Sequence, residues 1–354
     1  MSLHAIDDIG DAIDATKSFL LPFAARTWLK LAVVVFFIGG GGGFNGLQNA
    51  GNVGGQDQPS SGDQPIFDGS ALTEVESVLA EHTTELVVVL GLAVLLVLVF
   101  GLLSNFMEFV FVQSLIEREV HVRRYLRENV GNGLRLFVFR LLLGLVSLTL
   151  VFGFLYTAFV TVFGGTLDNV TPAALLGILP VAIVFVLVIS VVQGLLTGFT
   201  NVFVVPMMLT SSRGLLGSWK RLLGSMRHNG KQYLAYLAFS IVLAIGVGII
   251  ASILGVVAFL LLAIPFVLLG AVCWFGLGGG PVALGLLAVI LVFFVLSLLL
   301  ASNLIQVPLQ SFLRYYAMLV LGDIDEPLDP LAEVRSDIRA DEPDDIDAPA
   351  SGGI

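Results

Sequence analysis

The positive charges of this chain are gathered into clusters that long apolar runs separate. The clusters are Lys17, Arg26 and Lys30; Arg118, Arg123, Arg124, Arg127, Arg135 and Arg140; Arg213, Lys220, Arg221, Arg227 and Lys231; and Arg314, Arg335 and Arg339. Lysine and arginine beside membrane spans collect on the cytoplasmic side of the membrane. The pattern therefore predicts a helical protein that crosses the membrane several times and turns its basic connections to one side.

The apolar runs are long enough to cross a bilayer. Residues 86–106 and 233–264 each reach or exceed the roughly 20 residues that a helix needs to span the hydrocarbon. Mean hydropathy is +0.97 and only 12% of residues are charged, which excludes a water-soluble domain of this length. Because lipid offers backbone groups no hydrogen-bond partners, and the short alternating segments of a β-barrel are lacking, an all-α membrane fold is predicted.

Six spans, paired as three helical hairpins, account for the alternation of basic and base-free connections. The predicted membrane domain covers residues 22–314, with spans at about 22–44, 86–114, 134–163, 174–205, 233–262 and 282–313. Basic connections lie at 115–133 and 206–232, and an outer loop at 45–85. Residues 1–21 are a cytoplasmic amphipathic segment that we expect to pack on the protein itself through Ile6, Ile9 and Ile13. Both termini then lie on the cytoplasmic side of the cell membrane.

Residues 263–277 leave the number of spans open. Pro265 interrupts an apolar stretch that is too long for one span and short for two. A kinked extension or a re-entrant segment would keep six spans. A seventh span would place Arg314 and the C-terminal tail outside the cell, which the charge pattern disfavours.

The segments outside the apolar runs are acidic. Residues 323–354 hold eleven acids and two arginines, arginine outnumbers lysine thirteen to four, and the net charge is −10. We expect residues 315–354 to form an acidic, largely disordered cytoplasmic tail. Surface acids keep proteins dispersed at high salt, so the composition predicts a salt-loving archaeon as the source. An acidic tail on an ordinary membrane protein is the alternative.

Three return helices end on similar sequences, which predicts an internal repeat. Asn201 and Asn303 each lie five residues before a proline, and Asn105 occupies the matching position of the first copy. Other polar residues follow at spacings of three and four, which place them on the same helix face. The candidate positions are Asn105, Glu108, Gln193, Thr197, Asn201, Asn303, Gln306 and Gln310.

These polar stripes have two interpretations. They line a cavity open to the cytoplasm, where Glu108 is the carboxylate within a span and marks a pathway or site. Alternatively they hold the helices together through hydrogen bonds, each contributing roughly 0.6–2 kcal/mol. In either case we expect the three asparagines to face inward.

Signatures of metal, nucleotide or hydrolytic chemistry are lacking in the sequence. The four histidines are dispersed, whereas zinc needs three or four converging ligands, and no Walker A motif or nucleophile elbow is found. Cys273 is the only cysteine, which excludes a disulfide within the chain. The chain is therefore predicted to be non-enzymatic and to hold no metal or cofactor. Basic residues beside spans are explained by topology and membrane lipid, so no nucleic-acid partner is expected.

Two stretches carry family resemblances. Residues 3–16 (LHAIDDIGDAIDAT), leading to Trp28-Leu29-Lys30 and a glycine-rich helix end, resemble a haloarchaeal family of multi-pass membrane proteins without a known function. Residues 206–237 more loosely resemble the membrane region of glycerophosphodiester phosphodiesterases, through GSWKR at residues 217–221, then Asn229 and Tyr233. The catalytic domain of those enzymes has no counterpart here, so the resemblance implies no hydrolase activity.

Two functions are compatible with these patterns. The first is a membrane scaffold that binds protein partners through its acidic tail or outer loop. The second is a transporter of a small molecule or lipid, with a polar cavity lined by the even-numbered helices. Dry, packed stripes would favour the scaffold, and a water-filled crevice at Glu108 would favour transport.

Overall fold

The fold is taken from a computed structural model that describes residues 4–39, 82–165, 172–211 and 214–340. In these ranges the helices are α1 (His4–Leu20), α2 (Ala25–Gly39), α3 (Thr83–Glu117), α4 (Val122–Glu128), α5 (Val130–Val162), α6 (Pro172–Phe199), a π-helix (Thr200–Val204), α7 (Val205–Thr210), α8 (Leu215–Gly276), α9 (Pro281–Ile324), a 3-10 turn (Glu326–Leu328) and α10 (Ala332–Ala340). These ranges contain no strand. Most of the predicted outer loop, 45–85, lies outside the described residues.

The long helices turn their apolar residues outward. Five helices are long and apolar enough to cross a membrane: α3, α5, α6 with its extension to Thr210, α8 and α9. In the most apolar stretch of each, at most 6% of the residues are buried, the reverse of a soluble protein. A sixth span is reached if α1 and α2, which meet at a 120° bend, count as one. The chain is therefore a polytopic helical membrane protein, as the sequence predicts.

Several helices run beyond the predicted spans. The expected basic connections at 115–133 and 206–232 are largely helical, because α4, α7 and the first part of α8 occupy them. One face of the early part of α8 is buried, at Ser218, Leu222 and Ser225. This segment contains several charged residues, and charge alone predicts a loop. It is helical because one of its faces packs against protein, and such tertiary contacts stabilise a helix.

Residues 263–276 extend the preceding helix. α8 continues through Pro265 to Gly276, and the chain then turns back into α9 at Gly278 and Gly279. Their φ angles of 67° and 69° are left-handed, a conformation that glycine adopts without a steric cost. Of the three possibilities for this stretch, the structure shows the extension. The backbone departs from helical geometry at Asn229 instead, where φ is −115° and ψ is 30°.

α8 and α9 form an antiparallel hairpin whose contacts extend over the whole length of α9. Contacting pairs along it are Asn229 with Ile324, Tyr236 with Tyr316, Phe259 with Phe294, and Gly270 with Leu287. The Asn229 amide donates to the Ile324 carbonyl at 3.3 Å, and the Tyr233 hydroxyl donates to Ser225 Oγ at 3.0 Å across the bend. The bend in α8 is thus held by side-chain hydrogen bonds on both sides.

The described chain divides into two units, and the first comprises residues 1–36, 109–127 and 202–354. Its core is aromatic, with Tyr315 and Tyr316 of α9 buried, and Phe203 in contact with Tyr236 at 4.9 Å between ring centroids. The Tyr315 hydroxyl donates to the Leu115 carbonyl at 2.8 Å. This bond ties the end of α3 to the second half of α9.

α1 packs within this unit, but not through the face predicted for it. Asp8, Ala12 and Ala15 are fully buried, whereas Ile13 is 40% exposed. These three positions follow a spacing of four and three, so they share one helix face, and the small alanines allow α1 to lie close to α9. Phe19 meets Tyr315 edge-on at 6.3 Å. The buried face of α1 is therefore formed by Asp8, Ala12 and Ala15, with Ile9 half-buried beside it.

The predicted disordered tail is wrong for its first part. Residues 315–324 complete α9, and the chain then packs back through Leu328, Leu331 and Val334, each at most 5% exposed. Residues 332–340 form α10. Three apolar residues among many acids suffice to bury this segment because partners on α9 and α1 are already in place. Residues 341–354 lie outside the described residues.

The second unit comprises residues 37–108 and 128–201. In it α3 and α5 pack closely where Gly133 meets the Phe106 ring, and Gly101 lies 3.6 Å, measured from an added Cβ, from the Phe137 ring. The earlier residue of α3, Gly101, meets the later residue of α5, Phe137, so α3 and α5 are antiparallel. α5 and α6 pack through Phe154 and Phe185, whose rings stack at 4.4 Å.

We expect Gly133→Ala to destabilise the second unit. The added methyl group would overlap the Phe106 ring near its attachment point, where the side chain cannot swing away, and such overpacking costs about 1–3 kcal/mol. Equilibrium unfolding in mixed micelles measures the change. Gly144→Ala on the same helix meets nothing within 4 Å and serves as the control. Equal stability of the two variants would contradict the close α3–α5 contact.

Removal of residues 326–354 should destabilise the first unit more than removal of residues 341–354. The longer deletion exposes the surfaces that Leu328, Leu331 and Val334 cover and takes away Arg335. Burial of three aliphatic side chains contributes several kcal/mol at about 25 cal/mol per Å². Thermal unfolding of both truncated chains in the same detergent gives the comparison. Coinciding melting curves would show that α10 contributes nothing to the fold.

Candidate functional site

The first polar stripe lies on α3 in the second unit. Asn105 is 3% exposed and Glu108 1% exposed. Nδ2 of Asn105 donates to the Gly101 carbonyl one turn earlier, at 2.6 Å. The amide of this stripe is therefore engaged by its own helix, and both residues face protein as predicted.

The second stripe contains a departure from α-helical geometry. Gln193, Thr197 and Asn201 are each partly exposed, and Asn201 lies in the π-helix that precedes Pro206. Proline lacks a backbone N–H, and a π-helical turn changes the hydrogen-bond spacing in front of it. Asn201 Oδ1 accepts a hydrogen bond from Nη2 of Arg140 on α5. Arg140 belongs to a basic cluster in the sequence, and the spacing of the second stripe does not indicate this pairing.

The third stripe lies on α9 in the first unit. Asn303, Gln306 and Gln310 are partly exposed. Nδ2 of Asn303 donates to the Leu299 carbonyl at 2.7 Å, as Asn105 does to Gly101. The first and third asparagines therefore share one local hydrogen-bond pattern, and the middle one differs because of the π-helix.

The contacts between α3 and α5 separate Glu108 from the Arg140–Asn201 pair. Because Gly101 lies beside Phe137 and Phe106 beside Gly133, Arg140 is level with α3 residues near 98. At 1.5 Å per residue, Glu108 is about 14 Å away along the helix axis. A shallow depression on α6, lined by Ile183, Val186, Leu187 and Ser190 among others, includes none of the candidate residues.

Buried charge is concentrated where the two ends of the described chain meet. We call Asp8, Asp323, Asp329 and Arg335 the terminal clasp; they come from α1, the end of α9, the turn after it and α10. Arg335 Nη1 pairs with Asp323, and its Nε lies 3.4 Å from Asp329 Oδ2. Arg335 Nη2 donates to the Leu319 carbonyl at 2.7 Å. One guanidinium therefore joins two acids and a carbonyl near the end of α9.

Asp8 adds a third carboxyl to this arrangement. Its side chain is fully buried. Burial raises the pKa of Asp8 from 3.8 to about 8, and the nearby carboxyl group of Asp323 adds to the rise. The positive charge of Arg335 opposes it. Asp8 is thus held as a neutral acid at moderate pH.

Among the described residues, no group of three or more histidine, cysteine or acidic side chains is placed to hold a metal ion. The three acids of the terminal clasp surround a guanidinium instead. The ion pairs of Arg335 fasten the turn after α9 and α10 to the end of α9.

The comparisons with known proteins identify a family for this chain. A family of unknown function, DUF7544, matches residues 3–331 of the chain. The chain belongs to this family. No curated protein and no solved structure matches it. The family region includes Asp8, Asp323 and Asp329 of the terminal clasp and ends before Arg335.

A glycine makes room for the terminal clasp. A Cβ added to Gly322 would meet Asp329 Cγ at 2.5 Å and also overlap the Arg335 guanidinium. Gly322 therefore permits the side chains of the returning segment to lie directly on α9. The sequence contained no signal for this role, because Gly322 stands in an apolar run with no turn motif.

Gly322→Ala should destabilise the chain by about 1–3 kcal/mol, the usual cost of overpacking a filled site. Arg335 and Asp329 would both have to shift, weakening the ion pairs that hold α10. Gly224→Ala on α8, which meets nothing within 4 Å, is the matched control and should be neutral or slightly stabilising. Chemical unfolding with intact detergent micelles distinguishes the two, and a neutral Gly322→Ala would contradict the packing described.

Proposed function

We propose that this member of the family is a non-enzymatic membrane scaffold that binds a protein partner through its acidic C-terminal segment. The observation that carries the proposal is that this segment is ordered and displays acids on its surface. Glu326, Glu333 and Asp337 are exposed on the part of the chain that the terminal clasp holds against α9. We call these three residues the acidic surface.

The use of polar groups inside the long helices supports this choice. Asn105 and Asn303 donate to carbonyls of their own helices, and Asn201 accepts from Arg140. The Arg140–Asn201 bond joins two helices, and bonds of this kind stabilise helix packing in a membrane, whereas the other two satisfy amide N–H groups within their own helices. The depression on α6 is apolar and does not reach these residues. These stripes therefore fit a structural role better than a solute pathway.

The acidic surface is suited to a basic partner. Its side chains project from α10 and the turn before it, and rigid display lowers the entropy that a partner must overcome on binding. Arg118 reaches Asp337 at 3.4 Å, yet the Asp337 side chain remains 67% exposed. A basic segment of another protein would gain electrostatic steering toward this face.

The same proposal places the chain in the cell membrane with both termini in the cytoplasm, surrounded by membrane lipid. Two basic clusters, which begin at Arg118 and Arg213, lie next to the long helices. By the positive-inside rule, such clusters lie on the cytoplasmic side of the membrane. The excess of acids over lysines supports a source that lives at high salt. The acidic surface would then face cytoplasmic partners.

Transport of a small molecule or lipid is the second candidate, and one observation favours it. Arg140 and Asn201 meet inside the apolar helices at a π-helical turn. Ionisable groups within spans and π-helical turns both occur often at functional sites. A solute with a carboxylate or phosphate would suit the guanidinium.

A photoreactive amino acid at Ser336, an exposed α10 residue between Glu333 and Asp337, tests the scaffold. Illumination of native cells that carry this variant should yield one discrete cross-linked protein. Glu333→Lys should reduce the yield about tenfold or more, since a charge reversal replaces attraction by repulsion. Glu85→Lys, which reverses an acid that is 79% exposed at the start of α3, is the control and should leave the yield unchanged.

The proposal fails if illumination gives no discrete product, or if Glu333→Lys and Glu85→Lys give the wild-type yield alike. In that case the second candidate, transport, is tested with the protein reconstituted in proteoliposomes. Release of organic anions that depends on the protein and is lost in Arg140→Leu would establish transport.

A further inference from the structure

The first part of α8, residues 215–228, packs on protein with one face only. Ser218, Leu222 and Ser225 are buried on that face. The opposite face is open, with Leu216 78% exposed and Leu223 48% exposed. Leucines gain free energy when a contact removes them from water. The described residues leave much of both side chains uncovered, so this face indicates a contact with something outside them.

Cations accompany these leucines. Lys220 and Arg227 are exposed and follow Leu216 and Leu223 by four residues each, which places all four within about 60° of one another around the helix. Lys231, which follows the bend in α8, is exposed as well. Within the described ranges, the side chains of the three cations form no hydrogen bond or ion pair with each other or with any acid. We call this set the basic strip: Leu216, Lys220, Leu223, Arg227 and Lys231.

The basic strip leads directly into the apolar part of the same helix. Leu234 comes three residues after Lys231, and Ile241 and Ile245 follow it at spacings of seven and four; all three are exposed. They lie on a helix that is long and apolar enough to cross a membrane. Exposed apolar residues of such a helix face lipid. The cations of the strip therefore lie next to the end of a membrane span, at the level of the lipid headgroups.

We propose that the basic strip binds the anionic surface of the membrane, with its leucines in the apolar boundary of the lipid and its cations on headgroup phosphates. A lipid surface offers both contacts at once, and helices with lysine, arginine and leucine on their exposed faces lie in this interface. The long stems of lysine and arginine let the charged ends reach the headgroups while leucine side chains point into the lipid.

Two observations favour lipid over an acidic protein as the occupant. The strip continues along one helix into lipid-facing residues, and its leucines alternate with its cations instead of forming a separate patch. The contact also has a structural consequence. Because Arg221 on the same helix donates to the Pro327 carbonyl at 3.1 Å, lipid bound at the basic strip fixes the position of the C-terminal segment relative to the membrane surface.

Quenching by brominated lipids tests the proposal in the full chain. The protein carries a bimane label at Leu223→Cys in a Cys273→Ser background, so that an apolar fluorophore replaces an apolar side chain. It is reconstituted in vesicles of phosphatidylcholine and phosphatidylglycerol, and each lipid in turn is supplied in brominated form at the same mole fraction. We expect both to quench, with phosphatidylglycerol preferred by about fivefold or more, the factor that one basic residue contributes near an anionic surface.

Two triple variants show whether the strip itself causes the preference. The first neutralises the strip: Lys220→Gln, Arg227→Gln and Lys231→Gln. The charge-matched control neutralises three exposed cations elsewhere: Lys17→Gln, Arg123→Gln and Arg127→Gln. We expect the first variant to lose the preference for phosphatidylglycerol and the control to keep it, because only the cations beside the label select the lipids that contact it.

Labels at Ile245→Cys on α8 and Ser336→Cys on α10 give the quenching of a lipid-facing site and of an exposed site on the C-terminal segment. If neither brominated lipid quenches the label at position 223, the proposal is overturned and the strip is open to an acidic protein. Equal quenching by both lipids in the wild type, or equal loss of preference in the two triple variants, overturns it too, since attraction would then be absent or spread over the whole charged surface. The readout is lipid contact at α8, so it is independent of whether a partner binds the acidic surface.

Discussion

The requirement that every backbone group inside a membrane find its hydrogen-bond partner within the chain governs this structure. Helices satisfy it locally, so the long helices continue through proline residues that would otherwise end them. α8 continues as a helix through Pro265, and α9 continues through Pro308. The backbone hydrogen-bond pattern changes at the π-helix before Pro206. There the side chains of Asn201 and Arg140 form a hydrogen bond. At this turn, two polar side chains meet where the backbone departs from α-helical geometry.

The membrane class and most helix positions could be predicted from hydropathy and charge, because hydropathy and charge are summed over many residues and tolerate local error. The packing of the termini could not. An exposed Ile13 and a buried Asp8 reverse the expected face of α1, since the fit of Ala12 and Ala15 against α9 outweighs the burial of isoleucine. The packing of the C-terminal segment depends on a single residue, because Gly322 leaves the space in which Arg335 lies on α9. No periodic pattern in the sequence indicates this role.

The candidate residues show the same limit. Sequence spacing correctly placed Asn105 and Glu108 in buried positions, because polar residues on one helix face turn away from lipid together. It missed Arg140, which meets Asn201 from a helix 61 residues earlier in the chain. Spacing along one helix cannot report a contact between two. The terminal clasp joins residues more than three hundred positions apart and was assigned to two unrelated segments for the same reason.

The length of α8 poses a constraint that hydropathy alone does not resolve. On α9 the large exposed apolar residues run from Val282 to Leu300, about 28 Å of helix, close to one bilayer core. On α8 they run from Leu234 to Phe275, about 62 Å. Tilting a helix by 40°, the upper end of the usual range, lengthens its path through a 30 Å core only to about 39 Å. Because Gly270 lies beside Leu287, the excess on α8 lies level with the part of α9 that is buried in protein. The apolar face of α8 therefore extends well beyond the length over which α9 turns large apolar residues outward.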